Sequence, residues 1–287
     1  MKKVFSAGLL FSVSCLAGCI GASAPSEERD VNRAIVETAY QSLFFDFDVE
    51  STAELLTEDY IQHNPLVPTG LQPILSVLPA LKDSGLKPTV HRVISDGDLV
   101  AMHITYDGAE FFGTPTLAAF DIFRVENGLV AEHWDNLQVP PTVTVSGRSM
   151  VDGPTEITDH HLTEHNKQLV SEFINAVVIG GRFDLAGEYV VSAPGAYIQH
   201  NPTIPDGLPE LGQTWAAKAA AGEGYTLTKV HMVIGEGNFV LAVSEGTEGD
   251  TPLAFYDLFR IEDGLIVEHW DVLEEIPDAM AHDNGKF

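Results

Sequence analysis

Two short stretches of the chain hold the side chains best suited to moving protons. Asp121, His133 and Asp135 fall in one, and Asp257, His269 and Asp271 fall in its near-duplicate. Carboxylates in an apolar pocket have raised pKa values and an imidazole titrates near neutrality. A group of acid, histidine and acid is therefore what general acid–base catalysis needs. His63, His91 and His103, with His200 and His231 at the corresponding places, are candidate ligand contacts. His63 reads equally as a residue at a pocket mouth or as one bonded to a neighbouring carbonyl where Asn64-Pro65 starts a turn. His91 and His103 also read as satisfied strand residues. No glycine-rich phosphate loop, Ser–His–Asp order or cysteine nucleophile is present. His160, His161 and His165 lack carboxylates at ligand spacing, and neither a metal nor a cofactor is expected.

Which of these side chains share a face depends on a hairpin turn. If Glu126-Asn127-Gly128 is a three-residue loop with Gly128 left-handed, Val125 pairs with Leu129, Phe123 with Ala131, and Asp121 with His133. Alternation then places Asp121, Phe123, Ala131, His133 and Asp135 on one face, and Arg124, Glu132 and Trp134 on the other. A two-residue turn would instead set Asp121 opposite Trp134. The first register is preferred, because it pairs an acid with a histidine and keeps Arg124 near Glu132.

The elements that position these groups occur twice. Tyr60-Ile61-Gln62-His63-Asn64-Pro65 returns at Tyr197 to Pro202, and Pro68 and Gly70 are matched by Pro205 and Gly207. The stretch Asp121–Asp135 returns at Asp257–Asp271 with ten of fifteen positions identical. Two long matches in one order, at nearly one offset, mark an internal repeat. The first copy is placed at 30–140 and the second at 165–277. Between them 141–164, rich in Pro, Thr, Ser and Gly, reads as a surface linker, and 278–287 as a tail.

Within each copy, Val31, Ile35, Ala39 and Leu43, and later Leu169, Phe173 and Val177, recur at helical spacing. A short helical stretch near Ala53–Leu56, a strand at Tyr60–Asn64 and a helix at Pro73–Leu81, matched by Glu210–Ala221, come next. Strand pairs then flank Asp96-Gly97 and Glu126-Asn127-Gly128. Helices first and antiparallel strands afterwards argue an α+β fold.

This order, with its YIQHNP strand and its D-[IL]-F-R…G…EHWD ending, resembles the SnoaL-like family of the nuclear transport factor 2-like superfamily. That superfamily also includes ketosteroid isomerase and scytalone dehydratase. The resemblance covers both copies and implies two cone-shaped α+β barrels, each a bent antiparallel sheet around a pocket closed by helices. In polyketide cyclases of this type, an Asp on the last strand works with a His on its neighbour in a cofactor-free aldol closure. Asp135 matches that Asp, Asp121 stands where the cyclase histidine would be, and His133 supplies an imidazole nearby. Domains of the superfamily commonly dimerise through the sheet. The resemblance thus implies an intramolecular pseudo-dimer in a monomeric chain, with Trp134 and Trp270 in the core or at the contact between copies.

The N-terminus addresses the chain elsewhere. Lys2 and Lys3 precede an apolar run from Val4 to Cys15, followed by Leu16-Ala17-Gly18-Cys19. That tetrapeptide resembles the lipobox of bacterial lipoproteins and implies cleavage of residues 1–18, lipidation of Cys19, and a tether at 19–29. The competing reading is an ordinary signal peptide cut after Ala22-Ser23-Ala24. Either cleavage leaves at most one of the two cysteines, so neither a disulfide nor a cysteine-based zinc site is expected. A net charge of −27 repels nucleic acid, and none is expected as a partner.

The leading expectation is a pocket enzyme, a cofactor-free lyase or isomerase moving a proton at carbon next to a carbonyl. The rivals are a non-catalytic ligand-binding lipoprotein, favoured by the anchor, and a scaffold with vestigial pockets. The copies are expected to differ. Asp98 and His103 in the first stand against Asn238 and Val243 in the second, which assigns the more polar ligand, or the chemistry, to the first copy.

Overall fold

The computed structural model describes residues 25–287. The expected signal peptide, Cys19 and most of the expected tether lie outside the described residues. Among the described residues no helix is long and apolar enough to cross a membrane.

The first half opens with α1 (Pro25–Gln41), which runs into a π-helical turn at Ser42–Asp46. α1 thus begins inside the stretch expected to be tether, with Glu27 and Glu28 complementing the dipole of its first turn. Asp48 caps α2 (Val49–Leu55) by accepting from the amides of Glu50 and Ser51. Then follow β1 (Leu56–Gln62), α3 (Leu71–Ser84), β2 (Lys87–Asp96), β3 (Leu99–Asp107), β4 (Thr116–Glu126) and β5 (Leu129–Gln138). The second half runs α4 (Thr163–Glu172) with a π-helical continuation at Phe173–Ile179, α5 (Ala186–Tyr189), β6 (Ile198–Gln199), α6 (Leu208–Ala221), β7 (Tyr225–Glu236), β8 (Phe239–Glu248), β9 (Thr251–Glu262) and β10 (Leu265–Glu275). The two five-stranded sheets have orders β1-β5-β4-β3-β2 and β6-β10-β9-β8-β7. The first strand of each is parallel to its neighbour and the rest are antiparallel.

Gly70 and Gly207 turn the chain from the first strand of each sheet into the helix that covers it. Their φ values of 101° and 103° suit glycine alone, and their amides donate to the carbonyls of Tyr60 and Tyr197. The helices cover the inner face of each sheet and enclose a core, with Leu43, Leu78 and Phe123 in one half and Val177, Leu211 and Phe259 in the other.

The outer faces pack on each other. Phe120, Ile122 and Trp134 meet Tyr256, Leu258 and Trp270 in one buried cluster. Trp270 is fully buried, with Arg92 stacked 4.3 Å from its ring centroid. Asn136 Nδ2 donates across the seam to the carbonyls of Ala254 and Val272 at 3.0 and 2.6 Å. Two sheets whose outer faces are rich in large apolar residues must bury them, and they bury them against each other.

The segment expected to be a surface linker is docked on the second half. The Val145 amide donates to the Pro202 carbonyl, the Ser149 carbonyl binds His200 Nδ1, and Met150 is buried. The tail does the same on the other half. The Ala281 amide donates to the Pro65 carbonyl, the Gly285 carbonyl binds His63 Nδ1, and Lys286 is buried. Val145, Ser149 and Met150 stand 136 positions before Ala281, Gly285 and Lys286. Each half therefore sends the segment after its last strand across the other, as a matched pair of straps.

Candidate active site

The last hairpin of each half sets the site. Asn127 and Gly128 both have left-handed backbone, φ 52° and 83°, and so do Asp263 and Gly264, φ 51° and 77°. Such two-residue turns match the twist of a hairpin. The expected three-residue loop is therefore replaced by the pair Glu126↔Leu129. A bulge at Ala131 then shifts the pairing by one residue, so that Phe123 faces His133 and Asp121 faces Asp135. Asp121 opposite His133, the expected register, does not occur. Asp121, Phe123, His133 and Asp135 nonetheless share the inner face, because the extra residue is absorbed between Arg124 and His133. In the second half Asp257 faces Asp271 and Phe259 faces His269 in the same way.

Gln62 and Gln199, not the histidines beside them, complete the inner group. Gln62 Oε1 accepts from the amides of His63 and Asn64 and sits 2.9 Å from His133 Nδ1. Gln199 Oε1 accepts from the Asn201 amide and sits 2.9 Å from His269 Nδ1. Asn64 and Asn201 donate to Asp135 Oδ2 and Asp271 Oδ2 at 2.6 Å. Alternation along the first strand already set Gln62 and Asn64 on the side opposite His63. His63 can titrate, but its parity points it away from the pocket.

The five candidate ligand-binding histidines lie outside the pockets. His63 and His200 stack on Trp134 and Trp270, at 4.8 and 4.6 Å between centroids, and bond Glu132 and Glu268 on the outer face. His103 stacks 4.3 Å from Phe120 in the seam between sheets, beside Arg92, and burial followed by the Arg92 charge holds its pKa well below the usual range. His91 bonds Thr105, and His231 lies between Glu245 and Phe287. His63 and His200 stand just past β1 and β6, and His91, His103 and His231 lie within β2, β3 and β7; none of the five lines either pocket.

The two inner sites differ. Tyr106 donates to Asp121 Oδ2 and is joined to Tyr40 by a 2.9 Å contact between hydroxyls. These rings fill the space over Asp121 and leave a cavity of only about 60 Å³ in the first half. His133 Nε2 stays 3.6 Å from Asp121 Oδ1. In the second half strand pairing puts Ala242 beside Asp257, as Met102 lies beside Asp121, so Gly246 stands where Tyr106 does. Asn32 and Asn166 both donate to the glycine carbonyl of a hairpin, and eight residues beyond them stand Tyr40 and Ile174. With both phenols missing, Asp257 is uncapped and bonds His269 Nε2 at 3.0 Å.

There the cavity is about 450 Å³, within the range of small-molecule sites. Ile174, Phe183, Tyr197, Trp215 and Phe255 wall it, and Gln199, Asp257, His269 and Asp271 form its polar floor. The first copy, to which the more polar ligand or the chemistry was assigned, thus holds the smaller cavity. His103, on which that assignment rested, faces the seam.

Burial, with a smaller contribution from Asp257, pushes the Asp271 carboxyl up to about 6 against the opposing pull of His269. Burial alone would lower His269, but its hydrogen bond to Asp257 and the charges of Asp271 and Asp257 outweigh it, and its pKa is raised. Asp121 is raised by burial, with His133 opposing. Asp271 Oδ1 has no protein partner. In each half the acid–histidine–acid atoms lie within 4.8 Å of one another, a spacing a cation would accept. In the second half, however, the 3.0 Å contact between His269 and Asp257 is a hydrogen bond, and the group reads as acid–base.

A comparison with curated proteins returns no match. Among solved structures, TsrD from Streptomyces laurentii is 21% identical, covering 38% of this chain and 90% of its own, with a TM-score of 0.33. An LEH-like epoxide hydrolase from M. tuberculosis is 17% identical, covering 39% and 85%, with a TM-score of 0.31. An NTF2-like protein of unknown function from Mesorhizobium loti is 16% identical, covering 40% and 98%, with a TM-score of 0.35. The SnoaL-like domain family matches residues 36–133. By that match, residues 36–133 form a SnoaL-like domain.

Proposed function

We propose that the chain is an exported lipoprotein, anchored through Cys19, built of two SnoaL-like domains of which the second holds the working site. The repeat of sequence and the equal strand orders support the second domain. The reaction is cofactor-free proton transfer at carbon next to a carbonyl. The observation that carries this reading is the cavity of about 450 Å³ with apolar walls and Asp257, His269 and Asp271 together at its floor. An all-apolar lining would suit simple binding; convergent titratable groups suit catalysis.

In this mechanism the Asp271 carboxylate, which lines the cavity, takes the proton from the substrate carbon. His269, paired with Asp257, is the acid that meets the developing charge on the carbonyl oxygen. The electron pair of the broken C–H bond forms the C=C bond of the enol, while the carbonyl π pair takes the His269 proton. In a substrate with an adjacent C=C, the carbon proton returns from Asp271 to the far end of the dienol as the oxygen gives its proton back to His269, which completes an isomerisation. The first domain, with Tyr40 and Tyr106 over Asp121, acts as a packing partner.

Native mass spectrometry of the purified chain, followed by identification of any small molecule released, tests the assignment of the site. Wild type is expected to carry a ligand of apolar body and polar end, and Ile174→Tyr, which restores a phenol over Asp257, to carry none. Equal occupancy in both would overturn the assignment.

A further inference from the structure

We propose that Gln199 is a positioning residue that fixes the tautomer of His269, so that the movable proton sits on Nε2, beside Asp257. Its catalytic consequence rests on the proposed function; the tautomer itself does not.

The argument starts at the amide. The backbone N–H of Asn201 can only donate, and it points at Gln199 Oε1 from 2.8 Å. That atom is therefore the carbonyl oxygen and can only accept. His269 Nδ1 lies 2.9 Å from the same oxygen, so Nδ1 must carry a hydrogen. The first half repeats the arrangement, with amides of both His63 and Asn64 on Gln62 Oε1 and His133 Nδ1 at 2.9 Å.

With Nδ1 committed, a neutral His269 would present a bare Nε2 lone pair to Asp257 Oδ1 at 3.0 Å. Two acceptors at that distance repel unless a proton lies between them. The groups facing the ring are Asp257 from β9, Asp271 from its own strand β10 and Gln199 from β6, with Phe259 stacked 4.9 Å away. Two are acidic and none is basic. Gln199 thus removes the one neutral form that could have kept the bond to Asp257, the tautomer with hydrogen on Nε2 and none on Nδ1. His269 is held protonated, and the proton it gives up is always the one on Nε2.

Long-range ¹H–¹⁵N spectra of the histidine rings in the full chain, recorded across pH, test this. The His269 signals are assigned by their loss in His269→Gln. In wild type, Nδ1 is expected to stay protonated throughout and Nε2 to lose its hydrogen at the basic end. In Gln199→Leu the basic-end tautomer should switch to Nε2–H, and His269 should titrate at lower pH, because the neutral ring can then keep its bond to Asp257. In Gln199→Glu, whose carboxylate still accepts from both donors, the Nδ1–H tautomer should be retained. A neutral wild-type His269 with its hydrogen on Nε2, or a folded Gln199→Leu that keeps Nδ1–H, would overturn the proposal. Should Gln199→Leu fail to fold, the wild-type and Gln199→Glu spectra still decide it. Loss of activity without a tautomer change would count against this role and leave the proposed reaction standing.

Discussion

At the residue scale, two carboxylates with the same asparagine partner differ in the charge placed beside them. Asp135 and Asp271 each accept from an asparagine at 2.6 Å, but the Lys286 ammonium lies 3.7 Å from Asp135 Oδ1, and the matching strap residue over the second half is Met150. Asp271 is left at about 6. The proposed mechanism needs Asp271 ionised and His269 charged. Activity should therefore rise through an acid limb near pH 6 and fall at a basic limb above the ordinary histidine value. A kcat/KM profile with no acid limb between pH 5 and 7 would contradict this.

The same shift makes a stability prediction. Well below pH 3.8 the folded and unfolded forms both hold the Asp271 proton. As pH rises towards 6 the unfolded chain loses it first, and stability falls until the folded carboxyl also ionises. A rise from 3.8 to about 6 corresponds to about 3 kcal/mol lost at pH 7.5. Asp271→Asn removes that loss together with some attraction to His269. It should unfold in denaturant with about 1–3 kcal/mol more stability than wild type at pH 7.5, and the gain should shrink to under about 1 kcal/mol at pH 4. A destabilised variant at pH 7.5 would contradict the raised pKa.

At the element scale, the inner face of the last hairpin was legible because strand alternation has a period of two. Its pairing was not, since the sequence does not display the bulge at Ala131 that turns an Asp121–Trp134 pairing into Asp121–Asp135. The closure of the first pocket was readable only by carrying the repeat alignment along β3 and β8, where Met102, Ile104 and Tyr106 become Ala242, Ser244 and Gly246. Emptying the first pocket should be costly. Tyr106→Ala leaves a void and takes a hydroxyl from Asp121, at roughly 3–5 kcal/mol. The matching change in the second half cannot be made in reverse, because a side chain at Gly246 would meet the Thr226 carbonyl oxygen at 2.1 Å. A loss under 1 kcal/mol for Tyr106→Ala in urea unfolding would show that the phenol does not pack as described.

At the scale of the whole molecule, the two halves depend on each other through the seam and the straps. The seam was foreshadowed by outward tryptophans in both copies of the EHWD motif. The straps were not, because neither segment has a period, and their docking runs largely through backbone groups, such as the Gly285 and Ser149 carbonyls on His63 and His200 and the Val145 and Ala281 amides on Pro202 and Pro65. Trp270→Ala should cost roughly 3–5 kcal/mol, as it empties the centre of the seam and frees the Arg92 stack. For the proposed anchor, Cys19→Ala should shift the protein from the membrane fraction to the soluble one or block its processing. Identical fractionation of wild type and variant as soluble protein would sink the lipoprotein reading.

The central claim, that the second half moves protons while the first supports it, is tested most directly by deuterium wash-in. Wild type, Asp135→Asn and Asp271→Asn are incubated in D₂O with a panel of apolar cyclic ketones, and exchange at the carbon next to the carbonyl is followed by proton NMR. Protein-dependent exchange is predicted for wild type and Asp135→Asn and is expected to fall by at least about a hundredfold in Asp271→Asn, the usual loss on removing a general base. Equal loss in the two variants, or exchange in Asp271→Asn at the wild-type rate, would contradict the account.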